Sequence, residues 1–139
     1  MRITAKLAAG TLFTAAVFVP LGGTAGATPA PTLAPSALAL TVAEGESAAT
    51  TTPERAVTLS CAPGTGGTHP NAAAACRELI AADGDFENLP GSGERLCPLH
   101  YDPVVVTAEG VWNGKRVSYE RTFGNACAKG SEGRAVFAF

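Results

Sequence analysis

The chain has 139 residues, with 10 Lys and Arg against 12 Asp and Glu, a formal net charge of −2, 46% hydrophobic residues and 6% aromatic residues. A slightly acidic chain with scattered basic residues has no electrostatic footprint for a phosphate backbone, which excludes nucleic acid as a partner. The length suits one domain of ordinary size.

Arg2 and Lys6 precede residues 7–21, which carry no charge, and Ala25-Gly26-Ala27 supplies the small residues of a cleavage site. That pattern predicts a secretory signal peptide over residues 1–27. Its apolar run is broken by Gly10 and Pro20 and no second long apolar segment follows. A membrane span needs roughly 20 apolar residues, so export without a membrane anchor is expected. Removal of the leader leaves 112 residues with eight basic and twelve acidic side chains. Residues 28–36, uncharged and rich in Pro, Ala and Thr, read as a flexible arm, and residues 37–139 as the folded domain.

Residues 37–42 are apolar apart from Thr41 and end before Glu44-Gly45-Glu46, which predicts a first strand. Residues 47–53 form a polar loop. In residues 55–61, Val57, Leu59 and Cys61 alternate with Ala56, Thr58 and Ser60, a strand with one buried face. Residues 62–70 hold three glycines and two prolines and are expected to be loop throughout. Asn71 then has the character of a helix N-cap. Ala72, Ala75, Cys76, Leu79 and Ile80 follow as one apolar stripe, with Arg77 and Glu78 outside it and Gly84 available as a C-cap. Residues 84–94 are polar, with a short helical turn at 86–89. Residues 96–102 form an extended loop, because Pro98 and Pro103 disfavour helix in the residues before them. Residues 104–112 and 115–123 flank Asn113-Gly114, a strong hairpin turn signal. Residues 135–139 predict a short final strand. About five strands, mostly antiparallel, and one good helix place the chain in the α+β class, with helix packed on one sheet face.

Cys61, Cys76, Cys97 and Cys127 all lie in the exported part, where thiols oxidise, so two disulfides are expected. Three pairings are open, the sequential one among them. No C-x-x-C pair exists, and His69 and His100 lack ligand spacing relative to the cysteines, so no metal and no cofactor is expected. Nor do the residues point to an enzyme. No G-x-S-x-G occurs, and Ser92 of Gly91-Ser92-Gly93 sits in a polar linker, so Ser92, His100 and Asp102 make no supported triad. Glu44, Glu46, Asp83, Asp85 and Glu87 fall in turns or beside a helix end and read as solubilising carboxylates. Trp112 reads as core, with a role between two copies of the chain left open.

Two readings compete for Leu96-Cys97-Pro98-Leu99-His100-Tyr101-Asp102-Pro103. In one, Leu99 and Tyr101 fold into the core and the segment is only a turn. In the other, a proline-braced and disulfide-tethered loop displays a large side chain and loses little entropy when a partner grips it, as a substrate mimic must.

The chain resembles the Streptomyces subtilisin inhibitor family along nearly its whole exported length. The matching stretches include Pro53-Glu54-Arg55-Ala56-Val57-Thr58-Leu59, Cys61-Ala62-Pro63-Gly64, Gly67-Thr68-His69-Pro70, Tyr101-Asp102-Pro103-Val104 and Gly110-Val111-Trp112. Ala34-Pro35-Ser36-Ala37-Leu38, Cys97-Pro98, Gly114-Lys115-Arg116-Val117-Ser118-Tyr119-Glu120-Arg121 and Val136-Phe137-Ala138-Phe139 complete them, with all four cysteines in register. The resemblance implies a five-stranded antiparallel sheet with two helices on one face, a homodimer, and disulfides Cys61–Cys76 and Cys97–Cys127. It further implies a reactive bond between Leu99 and His100, a protease-contacting loop of Leu96, Cys97, Pro98, Tyr101 and Asp102, and Asn125 as the residue that braces the loop from behind.

Leucine before the bond suits the apolar pocket of subtilisin-like and chymotrypsin-like serine proteases, whereas the buried aspartate of trypsin wants Lys or Arg. Leu96 adds a second apolar anchor. Strong inhibition of subtilisins, weaker inhibition of chymotrypsin and very little of trypsin is the expectation. His100 departs from the small or β-branched residue usual in the family after the bond, and a histidine there predicts mildly pH-dependent binding. The competing expectation is a secreted, disulfide-bonded interaction module without inhibitory activity.

Overall fold

The computed structural model describes residues 33–90, 95–132 and 135–139. The signal peptide expected over 1–27 and the first part of the arm, 28–32, lie outside the described residues. In chain order the elements are β1 (Ser36–Glu44), β2 (Arg55–Ala62), β3 (Gly66–Gly67), α1 (Ala72–Ala81), a 3-10 turn (Phe86–Asn88), β4 (Val104–Trp112), β5 (Lys115–Phe123) and α2 (Ala126–Ser131). The strands form one antiparallel sheet in the order β3-β2-β1-β4-β5.

Strand periodicity gives the sheet two unlike faces. Leu38, Leu40 and Val42 of β1, Leu59 of β2, and Val104, Val106, Ala108 and Trp112 of β4 line the covered face. Against them pack Ala75, Cys76 and Leu79 of α1, with Phe86 and Phe137, while α2 adds Ala128 at the margin of the same core. The α+β class, with a five-stranded antiparallel sheet and two helices on one face, is therefore the architecture observed. On the opposite face Ala37 and Ala39 are exposed, and the hydroxyls of Thr41 and Thr107 bond at 2.6 Å. The connection from β3 to β4 carries α1 and the 3-10 turn across the covered face and ends in the loop that precedes β4.

Four local expectations change. The first strand begins at Ser36 rather than Ala37, because the Asn113 amide donates to Ser36 Oγ at 2.9 Å and the Gly114 amide to the Pro35 carbonyl at 2.9 Å. Residues 62–70 are not all loop, since Gly66–Gly67 pairs with Leu59 and Ser60 of β2. Gly67, at φ +104°, lies so near β2 that a Cβ there would sit 2.2 Å from the Thr58 carbonyl oxygen. Residues 135–139 form a turn and not a strand. Their polar backbone is met by side chains: Glu78 accepts from the Ala135 and Val136 amides, while Lys129 Nζ donates to the Phe137 carbonyl at 2.9 Å. Ile80, the last member of the expected stripe, is 63% exposed, while its neighbour Leu79 is fully buried.

Asn71 caps α1 as expected, its side chain accepting from the Ala74 amide. At the other end the Gly84 amide bonds the Leu79 carbonyl and the Asp83 amide the Ile80 carbonyl, a Schellman pattern. Asp83, at φ 51°, takes the left-handed position, with Gly84 following at φ 74°. Gly84 faces the buried Trp112, and a Cβ there would lie 2.2 Å from Trp112 Cδ1. Trp112 is thus a core residue, as read. Gly84→Ala is expected to cost about 2 kcal/mol of stability through overpacking and backbone strain. Urea unfolding followed by Trp112 fluorescence checks this; a midpoint equal to that of the parent would mean that the indole can shift freely.

Candidate functional site

The segment between the 3-10 turn and β4 has no regular structure over residues 95–103, so its shape is set by its tethers. Cys97 is bridged to Cys127 in α2, with Cα atoms 5.6 Å apart, while Cys61 of β2 is bridged to Cys76 of α1 at 5.5 Å. The pairing is the sequential one. In the chain-entropy model, loops of 15 and 30 residues contribute about 3 to 4 kcal/mol each.

Asn125 provides the next tether. It follows the buried Phe123 at the end of β5, has an extended backbone and caps α2, with Oδ1 accepting from the Ala128 amide at 3.0 Å. Its Nδ2 donates to the Pro98 carbonyl at 2.9 Å and to the His100 carbonyl at 3.0 Å. The two carbonyls lie on either side of Leu99, whose own carbonyl takes no hydrogen bond from the described residues. Asn125 is only 6% exposed, so this amide works where water competes weakly.

Beyond His100 the Asp102 amide bonds the Gly124 carbonyl at 2.9 Å, and the Pro103 carbonyl accepts from the Gly45 amide at 2.8 Å. The Tyr101 hydroxyl donates to Glu46 Oε1 at 2.6 Å. That bond to the carboxylate raises the Tyr101 pKa above its ordinary value, with a further push from slight burial and from the Glu46 charge. The neutral phenol is therefore favoured in the fold, and this contact is lost as the pH rises through the folded pKa.

The held backbone leaves side chains outside. Leu99 and Leu96 are fully exposed, at 101% and 96%, and Pro98 and His100 are exposed as well. The reading in which Leu99 and Tyr101 fold into the core is excluded, Tyr101 being 66% exposed. Leu96, Cys97, Pro98, Leu99, His100, Tyr101 and Asp102 thus form one displayed segment, with Asn125 and the Cys97–Cys127 bridge behind it.

Ser92 lies outside the described residues, and His100 and Asp102 are both exposed. His69 is buried and committed to structure: its Nδ1 accepts from the Asn71 amide and its Nε2 bonds the Val136 carbonyl. Among the described residues no cluster of three His, Cys, Asp or Glu side chains could hold a metal ion. Three carboxylates expected only to solubilise have partners. Asp85 caps the 3-10 turn, Glu87 lies 3.8 Å from the Arg121 guanidinium, and Glu46 holds Tyr101. The Glu46 contact spans 55 residues of sequence, and no local pattern signals it. Asn125, by contrast, carries an N-cap signal of its own ahead of α2.

The sequence model of the family described as subtilisin inhibitor-like matches residues 34–125. A probable subtilase-type protease inhibitor of Streptomyces avermitilis is 57% identical over 133 residues, covering 93% of this chain and 92% of that protein. A trypsin inhibitor of Streptomyces longisporus is 56% identical over 144 residues, covering both chains completely. Among solved structures, Streptomyces caespitosus sermetstatin in complex with Bacillus licheniformis subtilisin matches with a TM-score of 0.68 and 44% identity, over 76% of this chain and 99% of that chain.

Asn125→Asp separates the two tasks of this side chain. A carboxylate can still cap α2 but cannot donate, and it sets an anionic oxygen against two carbonyl oxygens. The expected loss is about 1–3 kcal/mol, with faster amide hydrogen exchange across residues 99–101 while α2 stays protected. Unchanged exchange at those residues would show that the loop does not depend on Asn125.

Proposed function

The chain belongs to the subtilisin inhibitor-like family, and we propose that it is a secreted, substrate-like inhibitor of serine proteases that offers the Leu99-His100 bond to the enzyme. The observation that carries this is the grip of Asn125 Nδ2 on the Pro98 and His100 carbonyls beneath a fully exposed Leu99. Such a loop is pre-ordered in extended form, so binding forfeits little conformational entropy. The unbonded Leu99 carbonyl is free to enter an oxyanion hole. Both sides of the bond are tethered to one scaffold, the first through the Cys97–Cys127 bridge and the second through Asn125 and β4. After cleavage the new ends stay at high effective concentration, which favours resealing over release.

Leu99 directs the loop to apolar specificity pockets, and Leu96 adds an anchor three residues earlier. Subtilisin-type enzymes are the first targets, with chymotrypsin-type enzymes bound more weakly. The related trypsin inhibitor of Streptomyces longisporus fits a scaffold whose target is chosen by a few loop side chains. The family standing favours a binding role over catalysis. Titration of subtilisin with the purified protein is expected to give a one-to-one endpoint with nanomolar or tighter affinity. Leu99→Lys is expected to move inhibition toward trypsin. No inhibition of subtilisin at micromolar concentration would leave the non-inhibitory interaction module as the better reading, and an unchanged profile for Leu99→Lys would mean the bond is misplaced.

Export and dimerisation belong to the same proposal. The charged start, apolar run and A-x-A site of residues 1–27, together with two disulfides, support export. The sheet face opposite α1 and α2, with exposed Ala37 and Ala39 beside Val111, suits contact with a second copy. For protein collected from the culture medium, mass spectrometry is expected to find cleavage after Ala27 and sedimentation a dimeric mass. An uncleaved leader or a monomer at micromolar concentration would remove the respective part.

A further inference from the structure

We infer that Glu46 is a positioning residue for the half of the loop that follows the Leu99-His100 bond, acting through the Tyr101 hydroxyl; this rests on the inhibitory reading above. The supports of the two halves differ in kind. Before the bond, a disulfide and a buried carboxamide hold Cys97 and Pro98. After it, the His100 carbonyl shares that carboxamide, and the next side chain, Tyr101, stands out in solvent with no core packing to orient it. Its orientation comes from the bond to Glu46 Oε1.

Glu46 can serve as an anchor because its own segment is tied down. Thr122 Oγ1 of β5 donates to the Glu46 carbonyl at 2.6 Å, and the Ala48 amide donates to Glu120 Oε1 at 3.0 Å. The adjacent Gly45 amide donates to the Pro103 carbonyl, which joins this segment to the foot of the loop. Within the segment, the Ser47 carbonyl accepts from the Thr50 and Thr51 hydroxyls, and Ser47 Oγ from the Ala49 amide. The carboxylate thus projects from a braced turn, and the entropy of ordering it has already been lost in the free protein. In the intact inhibitor this sets the direction of the chain leaving the enzyme's cleft. In the cleaved one it limits the swing of the new amino terminus at His100, keeping it near the Leu99 carboxylate.

The test compares the parent protein with Glu46→Ala, Glu46→Gln, Tyr101→Phe and the Glu46→Ala/Tyr101→Phe double variant. Three readouts are taken: the dissociation constant for subtilisin, the equilibrium ratio of cleaved to intact inhibitor, and the ultraviolet titration of the tyrosines. Glu46→Ala is expected to weaken binding and raise the cleaved fraction by about tenfold each, the scale of one net hydrogen bond. Glu46→Gln, whose amide oxygen can still accept from the phenol, recovers most of both. In the Tyr101→Phe background Glu46→Ala has no further effect. One tyrosine titrates at lower pH in Glu46→Ala than in the parent. Parent inhibition with all variants equal to it overturns the positioning role alone. A full-sized Glu46→Ala effect in the Tyr101→Phe background also overturns it, because Glu46 would then act by another route. A parent that leaves subtilisin active overturns the inhibitory reading and this role with it.

Discussion

The carboxamide of Asn125 offers two donor hydrogens and one acceptor oxygen, and three partners use them at once. Oδ1 closes the first turn of α2, while Nδ2 holds the Pro98 and His100 carbonyls. The two tasks cannot both be kept by a shorter or acidic side chain, which supplies at most the cap. The geometry of the displayed loop is therefore tied to the start of α2, and α2 itself is tied to the loop by Cys127. A six-residue helix has little stability of its own. It persists because the cap, the disulfide and the core contact of Ala128 act on it together.

The rest of the molecule makes that corner rigid. β4 and β5 are joined by the Asn113-Gly114 turn and pair along their whole length from Val104–Phe123 to Trp112–Lys115, so the foot of the loop and the base of α2 lie on adjacent strand ends. Behind them, Phe86 stacks on Tyr119 with ring centroids 4.9 Å apart. Arg121 lies over the Phe123 ring and reaches both Glu87 and Glu132, which links the 3-10 turn, β5 and the end of α2. The second disulfide does equivalent service across the sheet, fastening α1 to β2. Rigidity is concentrated in backbone and support. The apolar side chains of Leu96 and Leu99, by contrast, stand fully exposed. Relatives of more than 50% identity carry names as different as trypsin inhibitor and subtilase-type protease inhibitor, as expected when target choice rests on a few side chains carried by a common scaffold.

Elements whose information is local were legible in the sequence. The alternation of Val57, Leu59 and Cys61, the Asn71 cap, the Asn113-Gly114 turn and the proline-bounded loop each follow from neighbours within a few residues. Residues 62–70 failed that test because glycine signals loop locally. Here it allows an edge strand to approach β2 closely. Residues 135–139 failed for a related reason. An apolar alternation implies burial of side chains, and Val136 and Phe137 are buried, but it does not say which partner takes the backbone groups. Glu78, placed by α1 on the far side of the chain, takes two of them.

Amino-acid order was enough to read an export signal pattern, four cysteines for two bridges, an α+β order of elements, and a leucine held between prolines in an extended loop. Its motifs also pointed to the family to which the chain belongs. Tertiary structure decided what the residues alone left open: that the cysteines pair sequentially, that Leu99 stands outside the core, that Asn125 grips the carbonyls flanking Leu99, and that Tyr101 meets Glu46. Those contacts join groups 25 to 55 residues apart. Their partners are selected by strand pairing and helix placement, which act only once the chain has folded.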